Sequence, residues 1–285
     1  MDPVALVRYN GKIGETIEKG IGLLGGWRKP KSPFIVKPNI AALVTKSKFA
    51  VTDVKVVEAV VKLALKQDRK LPVKIAESDS DCKYADEAFR KFGYARIEKR
   101  FQALGFDVSL INLSHLARIS TKLDGLYFKN PELPDVIAGS KYPISIAVAK
   151  THPLTFVTGS MKNLFGLLPR KDKVFYHPHI NDVIVDLNRL VRTDLCIVDA
   201  RTGVEGWEGP ITRRLGMFIL GTKAASVDAT MARIMGFKPE KIRHLVEAEK
   251  FGLGTLDPLV VGENLESATV KFRSPSNLSP KALVK

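Results

Sequence analysis

The chain has 285 residues, enough for one large α/β domain or two modest ones, and its 45% apolar and 26% charged residues are ordinary for a globular protein. No run of about eighteen apolar residues spans a bilayer and the N-terminus carries no signal-peptide h-region, so a cytoplasmic protein with no membrane partner is expected. Lys plus Arg is 45 against 30 Asp plus Glu, a net charge of +15, which directs attention to anionic partners.

In chain order, residues 4–7 predict a short strand and residues 13–24 a helix. Within that helix, Gly20-Ile21-Gly22-Leu23-Leu24-Gly25 spells G-x-G-x-x-G. A dinucleotide site needs a strand before that motif and a helix after it, so here the glycines are read as closing the helix. Residues 34–36 form a strand that exits into Lys37-Pro38-Asn39, which directs a cation and an amide beyond the strand end. Thr52 is placed to cap a helix reaching Lys66, whose polar residues Lys55, Glu58, Lys62 and Lys66 share one face. A strand over 73–76 then runs into the acidic loop of Glu77, Asp79 and Asp81, read as a solvated loop.

Helices over 84–92 and 97–104 and a strand over 107–112 complete a β-α-β-α-β alternation. The fold class expected is α/β, a mainly parallel sheet with helices on both faces. Residues 117–128 read as a β-hairpin insertion. The alternation resumes with a strand at 144–149, a helix over 180–192, strands at 195–198 and 217–220, helices over 224–235 and 239–250, and a short strand at 259–261. Residues 1–274 read as one unit, divisible into α/β lobes at about 1–115 and 143–274 around a crevice and joined by 116–142. Residues 275–285 read as a loose tail.

The chemistry concentrates after the 144–149 strand, where parallel sheets bind ligands at the carboxyl ends of their strands. Lys150, Thr151 and His152 end that strand, and Thr158, Gly159, Ser160, Lys162 and Asn163 follow closely. Cations, hydroxyls and amides around a glycine suit a phosphate or carboxylate, with Gly159 allowing backbone N–H groups to approach it. His177-Pro178-His179 offers imidazoles for proton transfer or for an ion. Asp199 and Glu205 flank a glycine-bearing loop after the 195–198 strand. They are the candidates for holding a divalent metal or acting as a general base. Asp228 stands near a helix start, where capping is a sufficient role.

Several of these segments recur in order and resemble one family: Lys37-Pro38-Asn39; Thr52-Asp53 with Val56-Val57-Glu58-Ala59; Lys150-Thr151-His152; the run from Thr158 to Gly166; His177; Ile197-Val198-Asp199; Glu205-Gly206 through Gly209-Pro210; Gly221-Thr222; and Val227-Asp228-Ala229. This succession resembles the domain of unknown function 362 family along nearly the whole chain. The resemblance implies an anion-binding site of unassigned activity, in proteins that often also carry a ferredoxin-type iron–sulfur domain. This chain lacks a Cys-x-x-Cys-x-x-Cys run. Its two cysteines, Cys82 and Cys196, fall short of the roughly four thiolates a cluster takes, so no intrinsic iron–sulfur cluster is expected.

The leading expectation is therefore a protein that binds an anionic small molecule, with or without a divalent metal. Lys37, Asn39, Lys150, Thr151, Thr158, Gly159, Ser160, Lys162 and Asn163 would contact the ligand, and His152, His177, Asp199 and Glu205 would carry the chemistry. Two alternatives stay open. Fifteen basic and six acidic residues in 1–74 suit nucleic acid, with clusters at Arg28-Lys29-Pro30-Lys31, Lys46 with Lys48, and Arg69-Lys70. The other alternative is a non-enzymatic partner that docks a separate ferredoxin-like iron–sulfur protein.

Overall fold

Alternation of side chains along each strand divides the apolar residues between two faces, and that division fixes the architecture. The computed structural model describes residues 3–28, 30, 32–140 and 142–275. Lys29 and Lys31 of the first basic cluster, and the tail from residue 276 on, lie outside the described residues.

The elements in order are β1 (Val4–Arg8), α1 (Ile13–Leu23), β2 (Phe34–Pro38), α2 (Val54–Gln67), β3 (Val73–Glu77), α3 (Ala85–Lys91), α4 (Tyr94–Ala103), β4 (Val108–Asn112), β5 (Arg118–Ser120), β6 (Glu132–Pro134) and α5 (Asp135–Ala138). They continue as β7 (Tyr142–His152), β8 (Phe156–Thr158), α6 (Ser160–Asn163), a 3-10 turn at Lys173–His179, α7 (Ile180–Leu190), β9 (Leu195–Glu205), β10 (Ile211–Gly221), α8 (Ala224–Ile234), α9 (Arg243–Lys250) and β11 (Val260–Gly262).

One sheet carries the order β11-β1-β10-β9-β7-β2-β3-β4, with β8 folded back on β7. Its strands run parallel, except that β10 is antiparallel to both β1 and β9 and β8 is antiparallel to β7. On one face Ala5, Val7, Phe34, Val36, Ile144, Ile146, Ile197 and Phe218 pack under α1 to α4. On the other, Val4, Leu6, Ala147, Cys196, Val198, Met217 and Ile219 pack under α6 to α9. The expected α/β class with helices on both faces is thus the observed one. Strands from 1–115 and from 143–274 share this sheet, because β2 pairs with β7.

The topology selects one place for a ligand. From β2 the chain proceeds outward to β3 and β4, then returns past β2 to β7 and proceeds the other way to β9. The helix after β2, α2, lies on one face, and the helices after β7, α6 and α7, lie on the other. Such a reversal opens a crevice at the carboxyl ends of the two diverging strands.

Three local differences from expectation have clear causes. Asp53, not Thr52, caps α2 by accepting from Lys55 N at 3.0 Å. Thr52 instead bridges strands, its hydroxyl accepting from Asn39 N and donating to Ile146 O, both at 2.8 Å. β9 and β10 also outrun their predicted apolar cores, because their distal halves pair with each other as a two-stranded arm, Thr202 to Glu205 against Ile211 to Arg214. Gly206 and Gly209 turn that arm at φ 81° and 74°, a region that suits glycine.

The insertion forms a hairpin, though wider than residues 117–128, since β5 pairs with β6 across an intervening loop. The loop is fastened by one carboxylate. Asp186 of α7, fully buried, accepts from the backbone N–H groups of Leu126, Tyr127 and Phe128 at 2.9, 2.8 and 3.0 Å. Gly125 lies against the same carboxylate with no room for a side chain. Asp186→Ala strands three amides and is expected to cost roughly 3 kcal/mol, visible as a lowered urea midpoint and new proteolysis within residues 121–131.

Candidate functional site

Two strand ends meet over opposite charges. Lys37 leaves β2 and Glu77 ends β3, and their ammonium and carboxylate pair at 2.5 Å, both almost completely buried. Lys83 approaches the other carboxylate oxygen at 2.9 Å and also donates to the Ser78 carbonyl. Glu77 further accepts from Ser78 N at 2.9 Å and Ile40 N at 3.4 Å, so its lone pairs are filled. Burial works against the ionised form of Glu77, but Lys37 and Lys83 outweigh it and hold the carboxyl down at about 2. Burial lowers Lys37 from its ordinary value, with Glu77 opposing.

The end of β7 supplies the neighbouring wall. Lys150, also buried, donates to Asn39 Oδ1 at 2.8 Å and Ala50 O at 3.1 Å, both uncharged acceptors. Burial, then the Lys162 charge, pulls its ammonium down to about 7. His152 Nδ1 accepts from Leu154 N at 3.1 Å, which leaves the proton of the neutral ring on Nε2. Burial first, then Lys162 and Lys150, keeps that imidazole well below its usual range.

Between these walls lies a cavity of about 380 Å³ at the β2/β7 divergence. Its polar lining includes Lys37, Asn39, Glu77, Asp81, Lys83, His152, Lys162, Asn163, Lys173 and His177, and its apolar surface Ile40, Leu154, Phe165, Val174 and Trp207. Asn163 donates to Lys37 O and Ser145 Oγ, both at 3.0 Å, while its own amide oxygen is buried without a partner among the described residues. Lys162 lies 5.3 Å from the centre of the Phe165 ring, and burial pulls it down to about 8. Lys173 donates to Leu168 O at 2.8 Å and is likewise drawn down to about 8, chiefly by burial. His177 is lowered by burial and by Lys162.

The Domain of unknown function (DUF362) family matches residues 35–233, more than half the chain and every strand end that lines the cavity. The chain belongs to that family. It is also similar to a thylakoid-associated protein of Synechocystis sp. (strain ATCC 27184 / PCC 6803 / Kazusa), 23% identical over 248 residues that cover 84% of this chain and 74% of the relative.

In this DUF362 chain the sequence-predicted residues divide into three groups. Lys37, Asn39, His152, Lys162, Asn163 and His177 line the cavity, and Lys150 stands directly behind Asn39. Thr158, Gly159 and Ser160 do not line it. The amides of Ser160 and Met161, expected to cradle an oxyanion, donate to the buried carboxylate of Asp228 at 2.7 and 2.9 Å. Gly159 is required because a side chain there would collide with that carboxylate. Thr151 is likewise spent within the protein, accepting from Gly206 N at 2.8 Å.

The third group is the proposed metal or base pair, Asp199 and Glu205, which the fold keeps apart from the cavity. Asp199 is held by Arg201 at 2.7 Å, which also reaches Asp53 at 2.9 Å beside a separate groove. Glu205 is held by Arg213 at 2.6 Å and accepts from Arg273 N at 3.0 Å. Both oxygens of Asp199 and Oε1 of Glu205 are thus engaged by guanidinium groups of the protein itself. No set of three or more His, Cys, Asp or Glu among the described residues is arranged to hold a metal. His177 and His179 diverge, the first toward the cavity and the second stacked 5.3 Å from the Tyr127 ring.

Glu77, Lys83 and Lys173 are the site residues that sequence reading missed. The solvated reading holds for Asp81, which is exposed, but not for Glu77 and Asp79, which are 2% and 8% exposed. A usable signal was that Glu77 ends β3 beside the cationic exit of β2. Lys83 and Lys173 stand in ordinary polar loops and carried none.

Glu77→Gln removes the one counter-ion of two buried ammonium groups and is expected to cost about 3–5 kcal/mol. The native carboxyl lies below its ordinary 4.5, so its stabilisation is complete above that value and is lost as pH falls toward about 2. Urea unfolding across this acid window is expected to show a limb in the wild type that is flattened in the variant.

Proposed function

We propose that the cavity between the ends of β2 and β7 binds a small carboxylate- or phosphate-bearing molecule and acts on it by moving a proton. The carrying observation is the charge balance. Lys37, Lys83, Lys162 and Lys173 converge on the cavity, and the acidic groups lining it are the buried Glu77 and Asp81 near the mouth. An anion would supply the missing charge and raise the depressed lysines toward their ordinary values. His152 and His177, both neutral near pH 7, are suited to accept or donate the proton. Both cysteines are free, which agrees with a cytoplasmic setting.

A second reading is docking of an acidic partner such as a separate ferredoxin-like protein. It is favoured by exposed apolar and aromatic residues near the mouth, Tyr84, Val174 and Phe175, with Lys171 over the Tyr84 ring and Arg170 over the Phe175 ring. Association with a membrane surface, as the name of the Synechocystis relative suggests, would use the same rim; no helix among the described residues is long and apolar enough to cross a membrane. The nucleic-acid reading has less support, because Lys46, Lys62 and Lys66 of the N-terminal third pair with carboxylates.

Phosphate and small carboxylates are expected to raise the thermal midpoint, with affinity falling about tenfold in Lys162→Met, the equivalent of one charge-assisted hydrogen bond. Absence of any shift would remove the proposal. The lysine values add a second check. Lys150, Lys162 and Lys173 hold fewer protons in the native state than in the unfolded chain between about 7 or 8 and the ordinary 10.5, so ligand-free stability should rise with pH across that window. Anion binding just above neutrality should take up protons, which calorimetry in buffers of different ionisation enthalpy measures directly.

A further inference from the structure

We propose that Lys162 is a nucleophilic lysine that condenses with the carbonyl group of an anionic oxo compound, making the ligand class oxo-carboxylates or aldehyde phosphates. This rests on the anion-binding reading for the charged end of the ligand, and adds a covalent role at the other end.

Among the four lysines that line the cavity, Lys162 differs in its partners. Lys37 and Lys83 are committed to Glu77, and Lys173 donates to the Leu168 carbonyl. Lys162 has no hydrogen-bond acceptor or carboxylate among the described residues and lies over the face of Phe165. Its backbone is immobilised: α6 is fastened at its start by Asp228, and Asn188 Nδ2 donates to Met161 O at 3.0 Å. An unshared amine on a fixed support, pointed into a cavity, has the arrangement of an activated nucleophile. Burial assists by lowering the ammonium to about 8, which populates the free amine near neutral pH.

The groups around it fit the proton steps. The nitrogen lone pair of neutral Lys162 adds to the carbonyl carbon, and one proton passes from that nitrogen to the former carbonyl oxygen to give a carbinolamine. Protonation of that hydroxyl breaks the C–O bond and releases water as the C=N bond forms, and nitrogen loses a proton. The amine and carbonyl thus become imine plus one water, and no oxidant is consumed. His152, with its proton on Nε2, and His177 both line the same cavity and supply the acid and base. The Lys37–Glu77–Lys83 cluster and Lys173 line the same cavity and would receive the anionic group.

Reductive trapping tests the assignment. Wild-type protein is incubated with glyoxylate or pyruvate and sodium cyanoborohydride, followed by intact-mass measurement and peptide mapping. One adduct per chain at Lys162 is expected, forming faster as pH rises through about 8. Lys162→Arg, which keeps the cation but not the nucleophile, should lose that adduct while retaining the wild-type circular dichroism. Absence of an adduct, or equal labelling of surface lysines, in protein that inorganic phosphate still stabilises would overturn the lysine assignment and spare the anion site. A Lys162 adduct in protein that phosphate and carboxylates fail to stabilise would do the reverse.

Discussion

The site depends on one carboxylate taken out of water. Ionised Glu77 in the interior would be untenable alone, and each of the two buried ammonium groups beside it would be as costly without it. Together they form a cluster whose members hold the ends of β2 and β3 and the 77–83 loop in register. The cluster carries a surplus positive charge, and the fold places that surplus against a cavity. The same interaction therefore shapes the wall and sets its sign. Lys150 extends the pattern toward β7, since its amide and carbonyl acceptors neutralise none of its charge.

The architecture was readable in the sequence to the extent that burial alternates. Strands such as Leu195-Cys196-Ile197-Val198 send successive side chains to opposite apolar faces, and this pattern identified the sheet and both helical layers. The β9–β10 arm was not readable in this way: Val204 is buried, but Ile211, Thr212 and Arg214 are exposed, so the apolar alternation that marks the rest of the sheet is missing there. Lys37, Asn39, His152 and Lys162 could be found because polar residues follow apolar strands directly. Glu77 obeyed the same rule but sat in an acidic stretch, where local composition suggested solvent. Of its neutralising partners, Lys37 ends β2 and Lys83 lies further along the loop that Glu77 opens, and sequence spacing does not report either contact.

Asp228 shows a different limit. The Gly159–Ser160 turn has the glycine and the converging amides of an anion cradle, and it does hold an anion, one supplied by α8 of the same chain. Burial lifts that carboxyl to about 7 despite the two donated hydrogen bonds. Local sequence identifies such a cradle but cannot distinguish an external occupant from an internal one. The distinction matters here, because fastening α6 from inside frees the next residue along, Lys162, to face the cavity.

The floor and the mouth of the cavity belong to parts of the molecule with different freedom to change. The floor is made of strand ends whose geometry is shared with the whole sheet, so altering it disturbs the fold. Trp207 at the mouth sits at the tip of the β9–β10 arm, anchored to the 46–47 loop by two backbone bonds to Glu208 O. In the proposed role, sequence changes at that tip would alter which molecules enter while leaving the charged floor intact. In the proposed anion-binding role, chains built on this plan would diverge in what they select and still retain a common way of holding it.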